Sequence, residues 1–151
     1  MLEHLMWLMP DISHHQGHHT RADMRVASTR ADSIMFKASE GIEFVDPEFT
    51  SNAEAMNAAG AHGVPWGAYH FVSRGHGKAQ AEHFRDVVAR VPGCHFYCID
   101  WEAGSRDAVL ALADRLLDLV DTPVGDYIGS HARANGGQLP RMSFHMVPQY
   151  G

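Results

Sequence analysis

Two acidic residues stand two apart at the end of an apolar run, in His95-Phe96-Tyr97-Cys98-Ile99-Asp100-Trp101-Glu102. On extended backbone, residues i and i+2 project to the same side, so the Asp100 and Glu102 side chains are expected to point the same way. Two carboxylates held together titrate apart: the ionised member raises its neighbour's pKa and leaves one charged group and one protonated acid near neutral pH. Such a pair is the equipment of acid-assisted cleavage of a glycosidic bond. Other apolar runs also end in polar residues: Asp11 follows the first, Lys37-Ala38-Ser39-Glu40 the second, Tyr69-His70-Phe71 close the third, and Tyr127 lies in the fifth.

Two further groups of residues invite a chemical reading. His14, His15, His18 and His19 form a cluster. Gly17 within it and the lack of an accompanying carboxylate motif argue against a preformed metal site, so neither a metal nor a cofactor is expected. Cys94 and Cys98 lie four residues apart in a strand-like run, a separation of about 13 Å along extended chain. They cannot bridge each other there and read as small buried hydrophobes.

The candidate residues need elements to position them. Apolar runs begin at Leu5, Ser33, Val64, His95 and Val124, spaced 28 to 31 residues apart. Runs of this kind flanked by Gly, Pro, Asp or Ser read as buried strands. Between them lie helical patterns. The clearest runs from Ser105, a good N-cap, to Asp121, with Val109, Leu112, Ala113, Leu116, Leu119 and Val120 on one face. Phe84, Val87, Val88 and Val91 make a second stripe, stopped by Pro92-Gly93. Asp46-Pro47 predicts a cap and first helical residue before Phe49, Ala53 and Met56, with Gly60 at the exit. A weaker helix is expected between His18 and Ala31, capped by Thr20 and facing inward through Met24 and Ala27 or Ser28.

Strand and helix alternating in this way indicate βαβ units and a parallel sheet, either doubly wound or a barrel. A complete (β/α)8 barrel takes about 250 residues. The 151 residues here accommodate a single domain of five such units and one further strand near Ser143 to Val147. The stretch after Ser130 reads as loop through Asn135-Gly136-Gly137. Trp7, Trp66 and Trp101 are expected in the core, and His70, alternating with Tyr69 and Phe71, is expected to face away from the site.

The formal charge of −6, from 12 basic and 18 acidic residues, gives no footprint for nucleic acid. The longest apolar stretch, Leu5 to Pro10, is far short of the roughly 20 residues of a spanning helix. No membrane insertion is expected, and no signal peptide is visible. Twelve histidines match the lysines and arginines in number, so full protonation would carry the balance from −6 to +6.

Taken in order, Asp11-Ile12-Ser13-His14-His15-Gln16-Gly17, Phe36-Lys37-Ala38-Ser39-Glu40-Gly41, Asp46-Pro47-Glu48-Phe49 with Asn52, Gly67-Ala68-Tyr69-His70-Phe71 and Asp100-Trp101-Glu102 resemble the successive motifs of glycoside hydrolase family 25. These are the Chalaropsis-type lysozymes, which cleave the β-1,4 bond between N-acetylmuramic acid and N-acetylglucosamine. The resemblance implies an α/β fold, an irregular TIM-like (β/α) barrel, here incomplete at its C-terminus, where the family's later aspartate is lacking and Met146 stands in place of a tryptophan. It implies that Glu102 is the general acid, that Asp100 stabilises positive charge or orients the substrate's acetamido group, and that Asp11 completes the carboxylate cluster. Tyr69 and Tyr127 match positions that line the sugar site, and His14 would stand beside Asp11 as a hydrogen-bonding group. The implied partner is the glycan strand of peptidoglycan, met at the bacterial wall as by a phage endolysin. A wall-binding module without turnover is the alternative. A chitinase-like enzyme fits less well, because Phe96 and Cys98 precede Asp100 where further acids would stand.

Overall fold

The computed structural model describes residues 9–148. Trp7, most of the first apolar run, and Gln149-Tyr150-Gly151 lie outside them. Six parallel strands form one curled sheet: β1 (Asp11–Ile12), β2 (Ile34–Glu40), β4 (Trp66–Phe71), β5 (Cys94–Asp100), β6 (Val124–Tyr127) and β7 (Phe144–Met146), in that spatial order. The two-residue β3 (Phe44–Val45) folds back antiparallel on β2. Each new parallel strand is added on the same side of the last. The sheet therefore winds in one direction as a half-barrel, which removes the doubly wound alternative.

Five helices connect the strands: α1 (Arg21–Ser28), α2 (Phe49–Ala59), α3 (Gly77–Val88), α4 (Arg106–Leu119) and α5 (Ser130–Ala134). In α4 the Ser105 hydroxyl accepts from the Ala108 N–H, as its sequence predicts, and Val109, Leu112, Ala113 and Leu116 are buried. Burial of each such valine or leucine contributes about 1.5–3 kcal/mol. In α1, Thr20 and Asp23 form a reciprocal capping box and Met24 is the buried residue. Gly77 lets α3 and α4 approach closely: a Cβ there would meet the Ala108 carbonyl oxygen at 2.2 Å.

Two local expectations are corrected. The helix after Pro47 starts two residues later, at Phe49, and Glu48 caps it without a side-chain bond. Asp46 does accept the Glu48 N–H, but its other oxygen is taken by His14, 32 residues away. The segment after Ser130, read as loop, holds the five-residue α5. The hairpin to β3 was not anticipated; Gly41, at φ +58, makes its turn.

The two faces of the sheet differ. The outer face packs under the helices in a large core with Phe36, Phe49, Trp66, Phe84, Ile99 and Trp101 among its buried side chains. On this side His70 accepts from Ser39 Oγ at 2.8 Å and donates to Gln80 Oε1 at 2.9 Å. Burial holds the His70 pKa down to about 4, so the imidazole is neutral. A bulge between Lys37 and Ser39 turns the serine toward this partner. The inner face is thinner. Met35, Tyr69 and Cys98 are buried there, with Met9, Phe96, Tyr127, Phe144 and Met146 partly covered around them. Both cysteines are free, Cys98 fully buried and Cys94 partly so.

Candidate active site

Asp11, Tyr69, Asp100, Glu102 and Tyr127 line one cavity of about 790 Å3 along the inner face. Strand register explains why. Asp11 stands beside Met35, Tyr69 beside both Lys37 and Cys98, and Asp100 beside Tyr127. Parallel neighbours at the same height direct their side chains to the same face, and the residues at their carboxyl ends share one rim. Glu102 lies two residues beyond the end of β5, in the bend that leads to α4.

The carboxyl groups at this rim are not equivalent. Asp100 is held up to about 8, first by burial, then by the charge of Glu102 and a side-chain hydrogen bond with it, and then by Asp11; Lys37 opposes the shift. Asp100 therefore retains its proton at neutral pH, beside the Glu102 carboxyl group. Asp100 Oδ1 is buried with no hydrogen-bond partner among the described residues. Tyr69 is pushed well above the ordinary phenol range by burial, then by the charges of Asp11 and Asp100, and it is hydrogen-bonded to Ser13. Its hydroxyl stays neutral and able to donate at the cavity wall.

His14 does not stand against Asp11 as expected. Asp46, which is 2% exposed, accepts from the His14 backbone N–H at 2.9 Å, and the His14 ring Nδ1 lies 2.8 Å from the same carboxylate. Gln16 Oε1 accepts the Ser13 N–H at 2.7 Å and closes the turn that follows β1. The turn after Asp11 is thus tied to the corner between β3 and α2. Among the described residues no group of three or more His, Cys, Asp or Glu side chains could hold a metal ion. His18 Nδ1 lies 3.2 Å from Glu48 Oε2.

The remaining cavity wall was not anticipated. Phe96 and Phe144 meet edge to face, with ring centroids 5.6 Å apart, and line it together with Met35 and Met146. A Cβ on Gly67 would meet the Phe96 ring at 2.2 Å, and one on Gly125 would meet Phe144 at 2.2 Å. Glycine inside a strand marks such close approach, and that was the available signal. Lys37 pairs with Glu40 at 2.8 Å. Trp101 is buried, as expected, and donates to the Gly104 carbonyl at 3.3 Å.

Residues 10–126 match the model of the glycosyl hydrolases family 25. No curated protein sequence matches the chain. Among solved structures, a family 25 glycosyl hydrolase from Bacillus anthracis is similar at 20% identity and TM-score 0.74, over 93% of this chain and 68% of that one. The catalytic domain of an endolysin from a Listeria monocytogenes bacteriophage is similar at 18% identity and TM-score 0.76, over 99% of this chain and 76% of that one. The modular autolysin LytC from Streptococcus pneumoniae, solved with a synthetic peptidoglycan ligand, is similar at 16% identity and TM-score 0.60. There the match covers 79% of this chain and 32% of the autolysin. At these identities the likeness is one of fold. No described helix is long and apolar enough to cross a membrane.

Proposed function

The chain belongs to the glycosyl hydrolases family 25, and from that premise we propose that it hydrolyses peptidoglycan at the bacterial wall, cleaving the β-1,4 bond between N-acetylmuramic acid and N-acetylglucosamine. The observation that carries this reading is Asp100, which keeps its proton at neutral pH next to Glu102 on the rim of a cavity faced by two tyrosines. Glu102 is the more exposed of the two carboxyl groups and is the one this reading sets against the glycosidic oxygen. As the bond to the leaving sugar breaks, Glu102 gives that oxygen a proton, which Asp100 supplies. Asp100 is thereby left ionised beside the positive charge growing on the sugar ring, which fixed negative charge stabilises, until a water molecule adds to the anomeric carbon and returns a proton to the carboxyl groups. Its unpartnered Oδ1 is placed to accept the N–H of the acetamido group, and Asp11 adds a second negative charge from β1. Tyr69 and Tyr127 offer the sugar flat apolar faces, each with a polar tip.

Glu102→Gln tests this directly. The variant keeps shape and hydrogen bonding but removes the transferable proton, so release of reducing ends from purified walls is expected to fall by about 10²-fold or more while the melting curve is retained. Undiminished release of reducing ends would overturn the proposal. So would a wild-type protein that binds walls and releases none, which is the behaviour of a wall-binding module.

A further inference from the structure

A second hollow, of about 650 Å3, lies between the turn after β1 and the β2–β3 hairpin. Lys37 and Glu40 form its ion-paired floor. His14 and His15, with ring centroids 4.0 Å apart, form one wall. Ile42 and Phe44 form its lip and are 44% and 41% exposed. Two large apolar side chains left open beside a polar floor are a feature that a binding partner covers.

Lys37, which lines this hollow, stands next to the wall of the larger cavity. Its strand neighbour Tyr69 lines that cavity, and its charge acts on Asp100. Its ammonium lies 5.3 Å from the ring centroids of both Phe44 and Phe71. Of its three N–H donors, Glu40 takes one at 2.8 Å. A ligand that fills the first cavity and branches there would pass over Lys37 into the second hollow.

A bare glycan strand has only the lactyl carboxylate of N-acetylmuramic acid, with neither charges of both signs to match this floor nor side chains to cover the lip. The peptide carried on the lactyl group of N-acetylmuramic acid has both. Resting on the hydrolase reading, we propose that this hollow binds the peptide stem of peptidoglycan. Lys37 faces a stem carboxylate, Glu40 accepts from a stem N–H, and Ile42 and Phe44 cover its alanyl methyl groups. The protein therefore discriminates between glycan that carries peptide and glycan that does not.

The experiment compares purified glycan strands with the same strands freed of their stems by an amidase, as substrates for the wild type, for Ile42→Ser/Phe44→Ser and for His15→Ala. Affinity for a soluble disaccharide-peptide and for the bare disaccharide is measured in parallel by calorimetry. The wild type is expected to show a higher kcat/KM and a tighter Kd with peptide-bearing material. The double variant is expected to lose about tenfold of that preference, mainly through KM, with turnover of bare strands unchanged. His15→Ala is expected to lose a smaller part. Equal handling of both substrates by the wild type, or a preference that survives the double variant, would overturn the inference and leave the hydrolase reading standing. Failure to cleave either substrate would overturn the hydrolase reading, and the ratio of the two affinities would still decide whether the hollow takes the stem.

Discussion

Replacing Asp100 with asparagine is expected to stabilise the protein, by an amount that depends on pH. The residue carries a pKa of 3.8 when free and about 8 in the folded chain, first because of burial and then because of the Glu102 charge. A carboxyl group whose folded pKa is raised favours the native state while it is protonated in both states. That contribution is complete below pH 3.8 and is lost as the pH climbs to about 8. Each pH unit across that span costs about 1.4 kcal/mol, so a rigid, dry site would lose roughly 5–6 kcal/mol by pH 8. Asp100 borders an open cavity, and water and local relaxation reduce the figure to about 2–3 kcal/mol. Asparagine has the same outline and no charge. For a domain of this size the gain corresponds to a rise in Tm of roughly 4–12 °C at pH 8. Thermal unfolding of wild type and Asp100→Asn, followed by circular dichroism at pH 4, 6 and 8, reads the difference directly. The gap should close at pH 4, and the subtraction removes the titrating groups that do not interact with Asp100. A shift of the same size at all three pH values, or none at pH 8, would refute the argument that the native state confines a reluctant charge here.

The remaining predictions concern other layers of the molecule. His70 behaves oppositely: its folded pKa of about 4 lies below the ordinary 6.5, so the stability of the neutral form is present above pH 6.5 and lost toward pH 4. His70→Gln should abolish about 3 kcal/mol of that acid sensitivity, read as the difference in urea midpoint between pH 6.5 and 4. Gly77→Ala should destabilise by about 1–3 kcal/mol, because the added methyl meets the Ala108 carbonyl on the facing helix; a melting curve is the check. With histidines other than the buried, neutral His70 available on a chain of net charge −6, affinity for an anionic wall should rise between pH 7.5 and 5.5, and sedimentation with purified walls at the two pH values is the check.

The parallel strands were legible because each is a short apolar run closed by polar or turn residues, and the five candidate residues came together because four lie at or beyond strand ends and Tyr69, inside β4, shares their face. Local signals sufficed for Ser105, Thr20 and Gly60, whose capping positions depend on neighbours a few residues away. Where a distant partner competes, the same signals mislead. Asp46 looks like a helix cap, but it also receives the backbone and ring of His14, and the helix starts later. The two-residue β3 and five-residue α5 are too short to show any period. Phe96 and Phe144 gave no sign of lining a cavity, because that role is set by Gly67 and Gly125 on adjacent strands. That neighbouring carboxyl groups would drive one pKa upward was foreseeable in kind from spacing. That Asp100 is the member driven upward depends on burial, which a sequence does not display.

The unequal thickness of the two sheet faces bears on how such a chain can diverge. Most of the buried apolar side chains lie on the helix side, and the cavity side has few. Substitutions at partly covered positions such as Phe144, Met146 and Tyr127 draw little on the packing that holds the strands together. The groove can drift toward a different wall chemistry over successive changes, with no compensating repair beneath the helices. A randomised library confined to the inner face should therefore retain many folded members, whereas one of equal size on the outer face should retain few.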